Sequence, residues 1–330
     1  MGARPSTFAL TSPGSMRMFS TAEMMALPPP TWLIDSIIPS GGLVGLYGPP
    51  GVMKSFVAAD IALSVAAGGL WQGHEVTRGY PLYVCAEGSA GMGKRIKGWL
   101  QYRGLKPSQA RAAWLTESVP VYADSDGMHR VIERIEEAEV VPDLIVIDTL
   151  ARCFDGDENQ QADMGRFVAG VDRLRKEYDA TVLVVHHTRL DGTRERGNTA
   201  FRGAADAMLS LSNKKGKLVL SCDKQKDAEE FKGIELRTRA VPEADTIVLV
   251  NEVKRVSPAP VNRSGDLLGV LREEGALSPD AWLSLMFERS HMPRATFFRY
   301  LGKLRETGKI VKENGVYKPA EVSPETDENV

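Results

Sequence analysis

One octapeptide constrains this chain more than any other feature. Gly48-Pro49-Pro50-Gly51-Val52-Met53-Lys54-Ser55 lies between an apolar run at 43–47 that reads as a strand and a helical pattern at 56–67. A glycine-rich turn feeding a helix N-terminus turns its backbone N–H groups toward an anion. In that setting Gly48, Pro49, Pro50, Gly51, Val52 and Met53 form a cradle, and Phe56 opens the helix. Lys54 reaches the β- and γ-phosphates of a nucleoside triphosphate, and the Ser55 hydroxyl ligates Mg²⁺. The ligands predicted are ATP and Mg²⁺. The usual pattern has glycine immediately before the lysine, and Met53 stands there instead. A Cβ at that point crowds the backbone near the phosphates unless φ stays negative.

Short β-branched runs alternate with longer segments of helical period from residue 32 onward. Strands are predicted at 43–47, 81–86, 119–122, 144–148 and 181–187, and helices at 56–67, 91–102, 128–137 and 163–178. That rhythm argues for βαβ units and a mostly parallel sheet. After residue 204 it gives way to successive strands at 207–212, 218–223, 234–240 and 246–251, read as an antiparallel extension. The fold class predicted is therefore α/β with a small C-terminal domain. The boundaries are a flexible segment at 1–30, the main domain at 31–256, a Pro-rich linker at 257–262, a second domain at 263–319 and an acidic disordered tail at 320–330.

In an open parallel sheet, ligands sit at the carboxyl ends of the strands. The run Leu144-Ile-Val-Ile ends in Asp148, which would meet the metal shell through a water. No glutamate follows Asp148, so the base must come from elsewhere. Glu87 follows the strand at 81–86 and could polarise an attacking water. The strand at 181–187 ends in His186-His187, of which only one can face the γ-phosphate, because neighbours on a strand point to opposite sides.

These segments together carry a family resemblance. Residues 31–251 resemble the RecA-like ATPases, and most of all the hexameric RepA-type replicative helicases of plasmids, phages and other mobile elements. The carrying residues are Trp32-Leu-Ile-Asp35, Gly41-Gly-Leu43, Gly48 to Ser55, Ala86-Glu87-Gly88, 144–151, 184–188 and Arg202-Gly-Ala-Ala205. The resemblance implies that Glu87 is the catalytic glutamate, Asp148 the metal-shell aspartate and His187 the γ-phosphate sensor. It further implies a homo-oligomer in which Lys224 and Lys226, a K-x-K pair, stabilise γ-phosphate charge on a neighbouring subunit. The loop after the sensor, with Arg189, Arg194 and Arg196, would contact single-stranded DNA in a central channel, with Arg202 just beyond it.

Residues 263–319 have the pattern of a winged helix. Helices are predicted at 266–274, 278–288 and 293–307, with a hairpin around Glu313-Asn314-Gly315. Between Pro293 and Lys318 there are seven basic residues against two acidic ones, in a chain of net charge −2. Arg294, Arg299 and Lys303 on the third helix are the candidates for duplex DNA contact. The leading function is an ATP-hydrolysing DNA motor, a ring-forming replicative helicase of a mobile element. The alternatives are a recombinase or strand-annealing ATPase and an ATP-switched DNA-binding regulator with little turnover.

Composition sets the outer bounds. Hydrophobic residues make up 43 % of 330 and charged residues 25 %, ordinary for a globular chain. Cys85, Cys153 and Cys222 form no C-x-x-C pair and read as buried free thiols in a reducing cytoplasm. No apolar run is long enough for a membrane span, and no secretory leader pattern opens the chain.

Overall fold

The computed structural model describes residues 19–25, 30–188, 199–214, 216–250, 267–290, 294–306 and 308–320. The backbone groups into two units, Met1–Pro30 and Thr31–Val330. The first contains helix α1 (Thr21–Met25). The second opens with β1 (Trp32–Ile34), β2 (Ile38–Pro39), β3 (Leu43–Gly48), α2 (Lys54–Ala67), β4 (Gly69–Trp71), β5 (His74–Val76), β6 (Pro81–Cys85) and α3 (Ser89–Arg103). It continues through β7 (Ala113–Leu115), α4 (Asp126–Glu137), β8 (Leu144–Asp148), α5 (Gln161–Tyr178), β9 (Thr181–His187) and α6 (Ala200–Ala204). Then follow β10 (Ala207–Lys214), β11 (Lys217–Gln225), β12 (Ile234–Val241) and β13 (Thr246–Val250).

The main sheet has nine strands among the described residues, in the order β13-β12-β11-β10-β3-β9-β8-β6-β7. Strands β10, β3, β9, β8, β6 and β7 run parallel, and β11, β12 and β13 extend the sheet antiparallel. The central strands are buried and largely apolar because helices cover both faces: all five residues of β6 and of β8 are buried. Helix α2 is buried over twelve of its fourteen residues. It packs on β6, β8 and β9 and against α3 and β13. That surrounding explains why its sequence is apolar nearly all round rather than on one stripe.

A buried carboxylate fixes α2 in place. Asp60 accepts from the indole N–H of Trp71 on β4 and from that of Trp99 on α3, each at 2.6 Å, with Arg103 3.4 Å away. Burial pushes the Asp60 carboxyl up, opposed first by the Arg103 charge and then by the two indoles. This one side chain ties the helix behind the phosphate loop to two neighbouring elements.

Two differences from the sequence reading concern the strands. Residues 119–122 form no strand. The ladder position beside β6 goes to β7 instead, paired Leu82↔Ala113 through Val84↔Leu115, with Trp114 stacked on Tyr83 at 5.1 Å. Pro120 has no N–H to give a ladder, yet Val119 and Val121 still fill the core and Val121 N–H bonds the Cys153 carbonyl. The second difference is a small four-stranded sheet, β2-β1-β5-β4, which strands of two or three residues are too short to announce.

Beyond β13, α7 (Leu267–Glu274), α8 (Pro279–Ser290) and α9 (Arg294–Glu306) precede a hairpin of β14 (Ile310–Glu313) and β15 (Val316–Pro319). The rings of Trp282, Phe297 and Tyr317 pack together there. Tyr300 of α9 donates its hydroxyl hydrogen to the Val140 carbonyl at 2.9 Å, and Lys309 pairs with Glu139 at 2.8 Å. Both contacts join this part to the segment after α4.

Candidate functional site

The sheet brings four strand tips side by side. In spatial order β3, β9, β8 and β6 end at Gly48, His187, Asp148 and Cys85, with Glu87 two residues past the last. Register sets the tips in two steps: Gly48 lies opposite His187, and Asp148 lies opposite both Val185 and Cys85, so β3 and β9 run two residues further than β8 and β6. Parallel strands pointing the same way gather their following loops on one edge.

The phosphate loop needs its first glycine for space. A Cβ on Gly48 would come within 2.3 Å of the Leu211 carbonyl oxygen. Met53 has φ 72° and ψ 24°, the left-handed conformation, so the idea that negative φ accommodates it is corrected. Methionine adopts this glycine-favoured conformation with its side chain packed on the core under α2. The left-handed backbone costs about 1–2 kcal/mol for a residue with a Cβ, and the partly buried side chain recovers a similar amount. Replacing Met53 by Gly should therefore leave thermal stability close to wild type and preserve or raise ATP turnover. A large loss of turnover would show that the loop does not hold phosphate in the usual way.

Lys54 is buried, and its ammonium donates to the carbonyls of Gly48 and Pro49, each at 2.9 Å. His187 Nδ1 lies 3.3 Å from the same nitrogen. Burial first, and the Lys54 charge second, lower the His187 pKa, so the ring is neutral at neutral pH. Burial likewise lowers the Lys54 pKa, opposed by the charges of Asp148 and Glu87. His186 faces the other way, buried with its ring 6.4 Å from that of Phe201.

Asp148 is fully buried. Its Oδ2 accepts from the Tyr83 hydroxyl at 2.7 Å, and its Oδ1 has no hydrogen-bond partner. Burial raises its pKa, opposed by the Tyr83 and Ser55 hydroxyls and by Arg95. An orphaned carboxylate oxygen beside a serine hydroxyl suits the hard-oxygen shell of Mg²⁺. Glu87 is exposed at the edge of this cluster and accepts a hydrogen bond from Thr149 Oγ1 at 3.3 Å. A cavity of about 480 Å³ opens beside Gly51–Met53 and is walled by β11 and β12, with Lys217, Glu235 and Thr238 among its lining.

The K-x-K lysines occupy unlike settings. Lys224 donates to the carbonyls of Arg202 at 2.7 Å, Gly203 at 3.1 Å and Ala205, closing the end of α6. Lys226 is 61 % exposed and faces Asp206 at 3.4 Å. Arg202 donates to the Asp223 carbonyl at 2.9 Å. Asp223 also accepts from Ser210 and from Tyr47, the residue before the loop. Burial pushes the Tyr47 pKa to about 12. Arg189, Arg194 and Arg196 lie outside the described residues. Arg294, Arg299 and Lys303 lie on α9, with side chains outside the described set. Sequence reading did not single out Tyr83, Tyr47, Asp223 or Arg95. Each acts through a partner distant in the chain, and nothing local marks it.

A strand, a phosphate loop and a helix, with an aspartate at the tip of a nearby parallel strand, are the arrangement of a P-loop nucleotide-binding domain. Residues 15–193, more than half of the chain, match the AAA domain, and the chain belongs to that family. No curated protein matches it. A solved structure that resembles it is the crystal structure of the RadB recombinase, with a TM-score of 0.46 and 20 % identity over 64 % of this chain and 91 % of that one.

Proposed function

We propose that this chain is a Mg²⁺-dependent ATPase that works as an oligomeric motor on DNA, a replicative helicase of a mobile element. One observation carries the reading: the phosphate loop, Lys54, Glu87, Asp148 and His187 meet at the tips of four adjacent strands. Mg²⁺, when bound, would neutralise charge on the phosphates and orient them for in-line attack. Ser55 and Asp148 are the residues to hold it. Glu87 stands free at the edge to take a proton from water, and Thr149 steadies its Oε2. Lys54 leaves the Gly48 and Pro49 carbonyls for the phosphates, and neutral His187 can donate or accept a hydrogen bond beside it.

DNA contact is assigned to the arginines at 189, 194 and 196 for single strands. On α9, Arg294, Arg299 and Lys303 would contact duplex in a winged-helix arrangement with the β14–β15 hairpin. Support for this rests on the local excess of basic residues and on the three-helix-plus-hairpin order. Lys226, exposed and held among the described residues only by Asp206, is the group suited to reach a neighbouring subunit.

A second reading is an ATP-switched regulator with little turnover. Two observations favour it: Lys54 is satisfied by its own loop, and Met53 holds a left-handed backbone. The test is turnover of MgATP by the full chain with and without single-stranded DNA, together with unwinding of a forked duplex. DNA-stimulated turnover with unwinding supports the motor. Stoichiometric binding with negligible turnover supports the regulator. Annealing without unwinding points to a recombinase-type activity, and no ATP binding at all removes every one of these readings.

A further inference from the structure

Strand β11 carries one residue more than its neighbour β10, and the extra residue is Asp223. Pairing runs from Lys214↔Lys217 to Leu209↔Cys222, skips Asp223, and resumes at Met208↔Lys224 and Ala207↔Gln225. Such a bulge re-aims every side chain that follows it, because faces alternate along a strand. Leu218 and Leu220 point to the face packed with α2, and simple alternation would send Lys224 there as well. The bulge instead puts Lys224 opposite Met208, which lies in the same apolar cluster as Phe201 of α6 and Tyr47. From that face its ammonium reaches the carbonyls at the end of α6, Arg202 at 2.7 Å, Gly203 at 3.1 Å and Ala205. Gln225 turns to the opposite face with Ala207. Its amide nitrogen and oxygen are buried there with no hydrogen-bond partner among the described residues.

Burying that amide unsatisfied is costly, so other contacts must hold the bulge in place. They converge on Asp223. Its carboxylate accepts from the Tyr47 hydroxyl and from Ser210 Oγ at 3.0 Å, and its carbonyl accepts from Arg202 at 2.9 Å. Burial first, and Asp223 second, push the Tyr47 pKa to about 12, so the hydroxyl stays a donor at ordinary pH. Tyr47 is itself buried on β3 and is the last residue before Gly48. We infer that Tyr47 and Asp223 are positioning residues for the lysine pair, a lock that holds the bulge and so fixes the face on which Lys224 and Lys226 leave the sheet. Lys226 follows with its N–H on the Asp206 carbonyl at 2.9 Å and its ammonium 3.4 Å from Asp206 Oδ1. The lock ties the lysine offered to a neighbouring subunit to the strand that carries the subunit's own phosphate loop. The inference rests on the trans-acting reading of Lys226, and it names what aims that lysine.

The experiment compares Tyr47→Phe with Lys226→Ala in the full chain. It reads MgATP turnover, binding of a fluorescent ATP analogue, and lysine acetylation by limiting acetic anhydride, mapped by mass spectrometry. Tyr47→Phe removes one hydroxyl and keeps the ring in the core. Its turnover should fall about 10- to 100-fold, the loss of one hydrogen bond to a charged group, with analogue affinity within about threefold of wild type. Lys224 should acetylate several-fold faster than in wild type, with no nucleotide present. Mixed oligomers separate positioning in trans from an effect on the variant's own loop. Tyr47→Phe subunits mixed with Glu87→Gln subunits should regain turnover. Mixed with Lys226→Ala subunits they should regain none, since both partners then lack a placed lysine. Regain with Lys226→Ala, or none with Glu87→Gln, overturns the inference, because Tyr47 would then serve its own nucleotide site. So does wild-type turnover, or an unchanged Lys224 acetylation rate, in folded Tyr47→Phe. Asp223→Asn, which keeps the shape of the side chain, takes the same tests should Tyr47→Phe fail to fold. Wild-type turnover by Lys226→Ala defeats the trans reading itself and the inference with it, whereas a drop there with none in Tyr47→Phe defeats only the lock.

Discussion

Replacing Lys226 by Ala is expected to cut ATP turnover by about 10³- to 10⁵-fold while ATP binding stays near wild type, the scale on which a charge supplied in trans acts on phosphoryl transfer. The reasoning starts from how differently the two lysines of the K-x-K pair are held. Lys224 spends its ammonium on three backbone carbonyls at the end of α6, so it is committed within its own subunit. Lys226 is exposed and has, among the described residues, only a 3.4 Å side-chain contact with Asp206, so leaving that partner costs little. A mixing experiment makes the trans claim specific. Subunits carrying Lys226→Ala keep an intact nucleotide site, and subunits carrying a damaged base keep Lys226. Mixed oligomers should regain part of the turnover that neither variant has alone. Wild-type turnover by the Lys226→Ala protein removes the trans role, and a loss of ATP binding would place Lys226 in its own subunit's site.

The damaged base is Glu87→Gln, for which turnover should fall about 10²- to 10⁴-fold, the usual contribution of a general base. Affinity for MgATP should change by no more than about threefold. The amide keeps the size of the side chain and can still accept from Thr149, so the loop keeps its shape. What it loses is the capacity to take a proton. Single-turnover measurements on preloaded protein would separate the chemical step from nucleotide release. Glu87 is a better candidate than Asp148 for this role because Asp148 is buried and shares Oδ2 with the Tyr83 hydroxyl, whereas Glu87 is open to water. Normal turnover by Glu87→Gln would move the base elsewhere.

The two contrasts, Lys224 against Lys226 and Asp148 against Glu87, have the same physical origin. In each pair both residues carry the charge that the proposed chemistry needs. Burial and existing hydrogen bonds decide which is free to act. The same rule separates His187, beside the Lys54 ammonium, from His186, which faces Phe201 on the far side of the sheet.

Much was determined by the sequence alone, because the governing signals are local. The octapeptide at Gly48 to Ser55 marks a phosphate loop wherever it occurs between a strand and a helix. Apolar runs ending in Asp148 and His187 mark strand tips, and the change of rhythm after residue 204 marks the antiparallel strands that follow. The tertiary structure decided what depends on long-range partners. It gave the edge position beside β6 to residues 113–115 rather than 119–122, since ladder hydrogen bonds need N–H groups that Pro120 lacks. It put Met53 at φ 72° because the loop backbone is set by the surrounding fold and not by the residue's own preference. It also placed Arg95 against Phe56, 39 positions earlier in the chain, a meeting that only the packing of α3 on α2 could arrange.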